Sequence, residues 1–187
     1  DSYTAKKVIF EMNRAAGNFF FKNLVKNKDA LDYLKNRGVP TTAISDFALG
    51  LSPTDNSLSR YLQNAGYKKK DIEAANLARE NERGLYDFFR GRIMFPIQEI
   101  SGEVVGFGGR IMTSADNGPK YLNSPENDVF LKRSMLYNLN RAKDAIKDRT
   151  TPIIMVEGYM DVISLYEHGI KAVCATLGTA LGEKHAR

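Results

Sequence analysis

The sequence predicts a mixed α+β chain that ends on a short α/β unit. Three patterns lead there. Apolar residues recur at helical spacing through the first 75 positions, a glycine-rich apolar hairpin follows between residues 88 and 112, and the chain closes on a short strand, a helix and a second strand.

From Thr4 to Lys26 apolar residues recur at Val8, Ile9, Met12, Ala15, Ala16, Phe19, Phe20 and Leu24, the three-and-four spacing of an amphipathic helix. A shorter helix fits Asp29 to Asn36, with Gly38 as its stop. Val39-Pro40-Thr41-Thr42 restarts a helix through Ile44 and Phe47 that Gly50 is expected to close. Asn56 or Ser57 then caps a helix running through Leu58 and Leu62 to Gly66, and Lys68 to Ala75 reads as one more.

Near Leu85 the pattern changes to alternation. Ile93, Phe95 and Ile97 fall on one side and Met94 and Gln98 on the other, while Pro96 requires an edge or a bulge. Ser101-Gly102 is a turn, and residues 103–112 return as the second strand of a hairpin. Residues 116–119 form a loop, Lys120 to Pro125 is extended or irregular, and Leu139 to Ile146 is helical. Ile153 to Val156, bounded by Pro152 and Gly158, has the continuous apolar pattern of a buried parallel strand. Tyr159 to His168 is then a helix, and Ala172 to Ala175 a second short strand.

Composition narrows the function classes. With 43% hydrophobic and 26% charged residues the chain can bury a core. No apolar run approaches the roughly 18 to 20 residues of a membrane span, and no apolar leader is visible, so neither a membrane nor a secreted protein is expected. One cysteine forbids an internal disulfide, and Cys174, His168 and His185 cannot make a four-ligand zinc site. A net charge of +5 suits a phosphate-rich partner such as nucleic acid or nucleotides, or no anionic partner at all. The chain begins at Asp1 and stops at Arg187 inside an expected helix, so a piece of something longer is expected.

Two groups of residues could carry chemistry. Glu157 follows the apolar strand at a strand-to-helix turn, where open parallel sheets bind ligands; Asp161 lies in the first turn of the next helix. The plain alternative is that the helix macrodipole welcomes any acid there. Neither alone holds Mg²⁺, which takes one or two carboxylates plus substrate phosphates. The second group is basic: Arg90, Arg92, Arg110, Lys120, Lys132 and Arg133. Arg90 and Arg92 share a face if both are in a strand, and the hairpin returns Arg110 toward their end. Gly106, Gly108 and Gly109 would let a phosphate backbone or nucleotide come close, or else accommodate twist or a bulge. Lys120, Tyr121 and Asn123 combine a cation, an aromatic ring and an amide, which suits single-stranded nucleic acid and is equally ordinary packing.

Taken together these blocks resemble the RNA-polymerase core of bacterial DnaG-type DNA primases. The likeness runs through FALG at 47–50, RGRIMFPI at 90–97, GEVVGFGGR at 102–110, PKYLNSPE at 119–126, LY at 136–137, VEGYMDV at 156–162 and ATLGTAL at 175–181, in family order. The EGYMD block is similar to the first motif of the Toprim fold, shared with topoisomerases and some nucleases. The resemblance implies an α+β amino-terminal subdomain over residues 1–149, basic and nucleic-acid-binding, followed by a truncated α/β Toprim domain whose first part is residues 150–187. It implies metal binding and acid/base work for Glu157, with Asp161 in support. Arg90, Arg92, Arg110, Lys120, Tyr121, Asn123 and Lys132 are placed on template and nucleotides.

The implied activity is DNA-directed synthesis of short RNA primers by a nucleotidyltransferase of the replication fork, cytoplasmic in bacteria. The implied partners are single-stranded DNA template, ribonucleoside triphosphates, the RNA–DNA hybrid and, through an absent carboxyl-terminal domain, the replicative helicase. The implied cofactor is Mg²⁺ or Mn²⁺, with zinc only in an absent amino-terminal domain. Two departures stand out. Residues 131–134, Leu-Lys-Arg-Ser, differ from the usual His-Lys-Gly-Arg, although Lys132 aligns. No Asp-x-Asp follows Glu157, so the metal site is expected to be incomplete and the chain inactive alone. Another Toprim enzyme, a topoisomerase or nuclease, and a non-catalytic nucleic-acid-binding module are the alternatives.

Overall fold

The computed structural model describes residues 2–113 and 118–185. The expected loop positions Asp116 and Asn117, and the chain ends at Asp1 and Arg187, lie outside them.

Helix α1 (Ser2–Leu24) buries Ile9, Met12, Ala16, Phe20 and Leu24, the stripe that its periodicity predicts. Helix α2 (Lys28–Asn36) starts where the Asn27 side chain accepts a hydrogen bond from the Ala30 amide, and ends before Gly38 at φ +75°. Helix α3 (Thr41–Asp46) is shorter than expected. The chain turns at Ala48, φ +50°, and Gly50 opens strand β1 (Gly50–Leu51) instead of closing the helix. The glycine is needed for another reason: a Cβ there would stand 2.4 Å from Phe20 Cβ, because α1 crosses β1 at this point.

Helix α4 (Ser57–Asn64) is capped at long range. Asn56 makes no side-chain cap bond; the Asp87 carboxylate accepts from the Leu58 and Ser59 amides, and Asn56 Oδ1 accepts in return from the Asp87 amide. Burial raises the Asp87 carboxyl above the ordinary range, opposed by those same hydrogen bonds. Asp87 ends a hairpin absent from the sequence reading, β2 (Ala78–Asn81) with β3 (Gly84–Asp87), which follows helix α5 (Lys69–Ala74).

Strands β4 (Arg92–Gln98) and β5 (Val104–Ile111) form the expected hairpin inside an antiparallel sheet of order β1-β4-β5-β6, with β6 at Tyr121–Asn123. Pro96 lies beyond the reach of β1, one residue before a register shift, where its missing N–H costs no ladder bond. The strands are buried on both faces, not alternately as expected. One face, with Met94 and Phe107, meets α1: Phe20 and Phe107 pack edge-on at 5.3 Å. The other, with Phe95 and Gly108, meets the carboxyl-terminal unit.

After helix α6 (Leu139–Ala142) the chain closes on β7 (Ile154–Val156), α7 (Tyr159–Glu167) and β8 (Val173–Ala175), with β7 and β8 parallel in the register Ile154↔Val173. Ile153 and Ile154 are 40% and 42% exposed, against the expectation of burial, since β7 pairs only with β8 among the described residues. Tyr159, Val162, Ile163 and Val173 join the same apolar core as α1 and the antiparallel sheet. Cys174 lies within β8, fully buried, and burial pushes its thiol up to about 11. Ellman's reagent is therefore expected to find no thiol in the native chain and one equivalent after denaturation.

Candidate nucleic-acid and metal site

The carboxyl ends of β7 and β8 lie side by side, and both turns that leave them open onto one cleft. A cavity of about 180 Å³ is lined by Tyr121 and Asn123 of β6, by Glu157, Gly158 and Tyr159 after β7, and by Thr176 and Gly178 after β8. This is the crevice where open parallel sheets place their ligands. Glu157 and Asp161 are exposed, and neither carboxylate has a hydrogen bond or ion pair to another described residue. The Asp161 carboxylate folds back over the start of α7, 3.1 Å from where a Gly158 Cβ would stand. Among the described residues no three acid, histidine or cysteine side chains converge, so the acids present are part of a metal shell at most.

Tyr159 fixes the turn that carries these acids. Its ring stacks on Phe95, 5.0 Å between centroids and 12° between planes, and meets Tyr137 edge-on at 4.7 Å. Its hydroxyl donates to Asn123 Oδ1 at 2.6 Å, and burial holds its phenol well above the ordinary range. Asn123 Nδ2 donates to the Leu177 carbonyl at 3.2 Å. One amide therefore ties β6 to the turn after β7 and to the turn after β8. Gly108 makes room neither for a phosphate nor for a bulge: Tyr159 occupies the space, since a Cβ would stand 2.4 Å from its ring. Gly106 is likewise backed by Ser124 and Phe130, and Gly109 by Arg92 and Phe89.

The basic residues divide differently from the expectation. Arg90 lies before β4, exposed, with Nε and Nη2 donating to the Thr54 carbonyl, and Gly91 at φ +62° separates it from the strand. Arg92 and Arg110 reach the same end of the hairpin on opposite faces, because Arg92 pairs with Ile111 and Arg110 with Ile93. Arg92 is 5% exposed and donates to the Gly109 and Pro119 carbonyls, anchoring the chain that leads to β6. Arg110 shares its face with Tyr121, which is 37% exposed, and lies over that ring at 5.0 Å. Lys120 is exposed at the mouth of β6. Lys132 is half-buried in a single 3-10 turn, its ammonium 6.0 Å from the Phe130 ring and its amide bonded to Glu126. Arg110, Tyr121 and Asn123 thus share one face of the sheet, the one that leads to Glu157, whereas Lys120, opposite Ile111, falls on the Arg92 face at its exposed edge.

Sequence reasoning missed Tyr33 of α2, whose hydroxyl accepts from Arg110 Nε at 2.6 Å, and the role of Tyr159. The second was findable, because Tyr159 stands inside the same five-residue block as both acids. The first was not: no spacing links positions 77 residues apart.

The geometry agrees with comparisons to known proteins. A family profile described as "DNA primase catalytic core, N-terminal domain" matches residues 19–143, and a Toprim domain profile matches residues 151–187. A DNA primase of Clostridium acetobutylicum is 41% identical over 194 residues, covering 100% of this chain and 32% of the relative. One of Deinococcus radiodurans is 42% identical over 182 residues, covering 96% and 31%. The chain thus spans about a third of the length of these curated relatives. Among solved structures, the RNA polymerase domain of Mycobacterium tuberculosis primase DnaG, in complex with a double-stranded DNA oligomer with a 6-nucleotide overhang, superposes with TM-score 0.90. That match has 32% identity over 96% of this chain and 57% of the other. A DnaG primase catalytic domain bound to ssDNA gives TM-score 0.86 at 33% identity, over 98% of this chain and 59% of the other.

Proposed function

The chain belongs to the DNA primase catalytic-core family, and from that premise we propose that it supplies the template- and nucleotide-binding part of an enzyme that makes short RNA primers on single-stranded DNA. The observation that carries this is the shared cleft: Tyr121 and Asn123 of β6, with Arg110 of β5 against the Tyr121 ring, line the same cavity as a carboxylate without a protein partner among the described residues, at the carboxyl end of a parallel strand. Residues 1–149 would be the nucleic-acid-binding subdomain and residues 150–187 the first part of the Toprim domain.

In nucleotidyl transfer a primer 3′-hydroxyl attacks the α-phosphorus of an incoming ribonucleotide in line; an oxygen–phosphorus bond forms and pyrophosphate leaves. The protein contributes position and charge. Lys120 and Arg110 hold phosphate oxygens, the exposed Tyr121 ring offers a base a stacking face, and Arg90 and Lys132 extend the cationic surface. Glu157, with Asp161 in support, fits one corner of a Mg²⁺ or Mn²⁺ site, because both carboxylates are free of protein partners among the described residues. A bound divalent ion would stabilise charge on the attacking and leaving oxygens. The replicative helicase, the RNA–DNA hybrid and a cytoplasmic setting at the bacterial replication fork complete the reading. Among the described residues no helix is long and apolar enough to cross a membrane.

Residues 158–187 contain no Asp-x-Asp, so on this reading the chain alone makes no primers. A chimera tests the reading: residues 1–187 replace the matched third of the Clostridium relative. The chimera is expected to make short labelled oligoribonucleotides on a single-stranded template, and the 187-residue chain none. A correctly folded chimera without synthesis would count against the function; synthesis by the chain alone would count against the incomplete metal site.

A further inference from the structure

Arg110 is a permanent cation at 5% exposure, and among the described residues it makes no salt bridge. Among the described residues its guanidinium meets no carboxylate. It is held by two neutral phenols: Nε donates to Tyr33 Oη at 2.6 Å and Nη1 to Tyr121 Oη. The Tyr121 ring adds its π face at 5.0 Å. A buried charge is normally paired with an opposite one, and here the fold supplies dipoles instead. Such an arrangement orients the guanidinium while leaving its charge uncompensated for an incoming anion. Tyr121 comes from the neighbouring strand, but Tyr33 comes from α2, and Arg37 on the same segment lies over the Tyr33 ring at 5.2 Å.

We propose that Tyr33 is a positioning residue: its hydroxyl locks the Arg110 guanidinium in the orientation that receives a phosphate of the nucleic acid. This rests on the cleft reading above. The hydroxyl carries no charge, so its loss should weaken binding without changing the number of counterions released, whereas loss of Arg110 changes both.

The test is a double-mutant cycle on the 187-residue chain, with binding of a fluorescein-labelled single-stranded dT oligonucleotide read by anisotropy across a salt series. Tyr33→Phe is expected to weaken binding about 5-fold, on the scale of one net hydrogen bond, with an unchanged salt slope. Arg110→Ala should weaken it further and lower the slope by about one. The double variant should bind no more weakly than Arg110→Ala. Wild-type affinity in Tyr33→Phe, with Arg110→Ala impaired, overturns the positioning role and leaves the cleft reading intact. Wild-type affinity in Arg110→Ala overturns both. If thermal melting shows that Tyr33→Phe does not fold, Arg110→Lys decides. Its ammonium keeps the charge but lacks the fork that two phenols can orient, so affinity as low as Arg110→Ala supports the proposal and wild-type affinity overturns it.

Discussion

Gly108→Ala is expected to lower the melting temperature of the chain more than its one added methyl suggests. The new Cβ would stand 2.4, 2.5 and 2.6 Å from Cε2, Cζ and Oη of Tyr159. The ring cannot step aside, because Phe95 stacks on it, Tyr137 meets it edge-on, and its hydroxyl is bonded to Asn123. Overpacking of this kind costs about 1–3 kcal/mol. In a chain of this length each kcal/mol moves the melting temperature by roughly 2–4 °C. Gly17→Ala is the matched control. Its methyl would meet only Phe107, at 3.8 Å, and alanine is the better helix former, so the melting temperature should hold or rise. Equal destabilisation by the two substitutions would mean that Tyr159 is not seated against β5.

Glu157→Gln should have the largest effect on catalysis. The amide keeps the size of the side chain and removes its charge at the carboxyl end of β7, where Glu157 has no protein partner among the described residues. In the chimera, primer synthesis is expected to fall by roughly 100-fold or more, the scale on which a single acid–base or charge-stabilising group acts. Affinity for single-stranded DNA should be unchanged or slightly tighter, since a negative charge has left the cleft. Steady-state synthesis and anisotropy on the same preparation separate the two. Undiminished synthesis would remove Glu157 from the chemistry.

Much of this architecture is local and therefore legible. The apolar stripe of α1, the stop at Gly38, the Ser101-Gly102 turn and the apolar runs of β7 and β8 follow from spacing within a few residues. What escaped is long-range. Gly50 looks like a helix stop in sequence and is a strand residue in space, because what demands a glycine there is Phe20 on another element. The cap of α4 comes from Asp87, 28 and 29 residues away. Arg92 and Arg110 look equivalent by charge, yet the hairpin register puts them on opposite faces, so one anchors the Pro119 carbonyl and the other rests on Tyr121. The glycines of β5 suit either a ligand or a bulge by sequence, and the fold fills the space beside them with Tyr159, Phe130 and Phe89. Family motifs marked the acids and the cations; only the packing separates those that face the cleft from those that build its walls.

Arg110 and Lys120, at the same end of the sheet, are expected to bind single-stranded nucleic acid through its phosphates. The most direct measurement is an anisotropy titration of the 187-residue chain with a labelled single-stranded oligonucleotide, at low and rising salt, beside Arg110→Ala with Lys120→Ala. The account predicts weak binding that falls steeply with salt, and a double variant with lower affinity and a salt slope reduced by about two. No binding at low salt, or a double variant that binds like the unchanged chain, would contradict it.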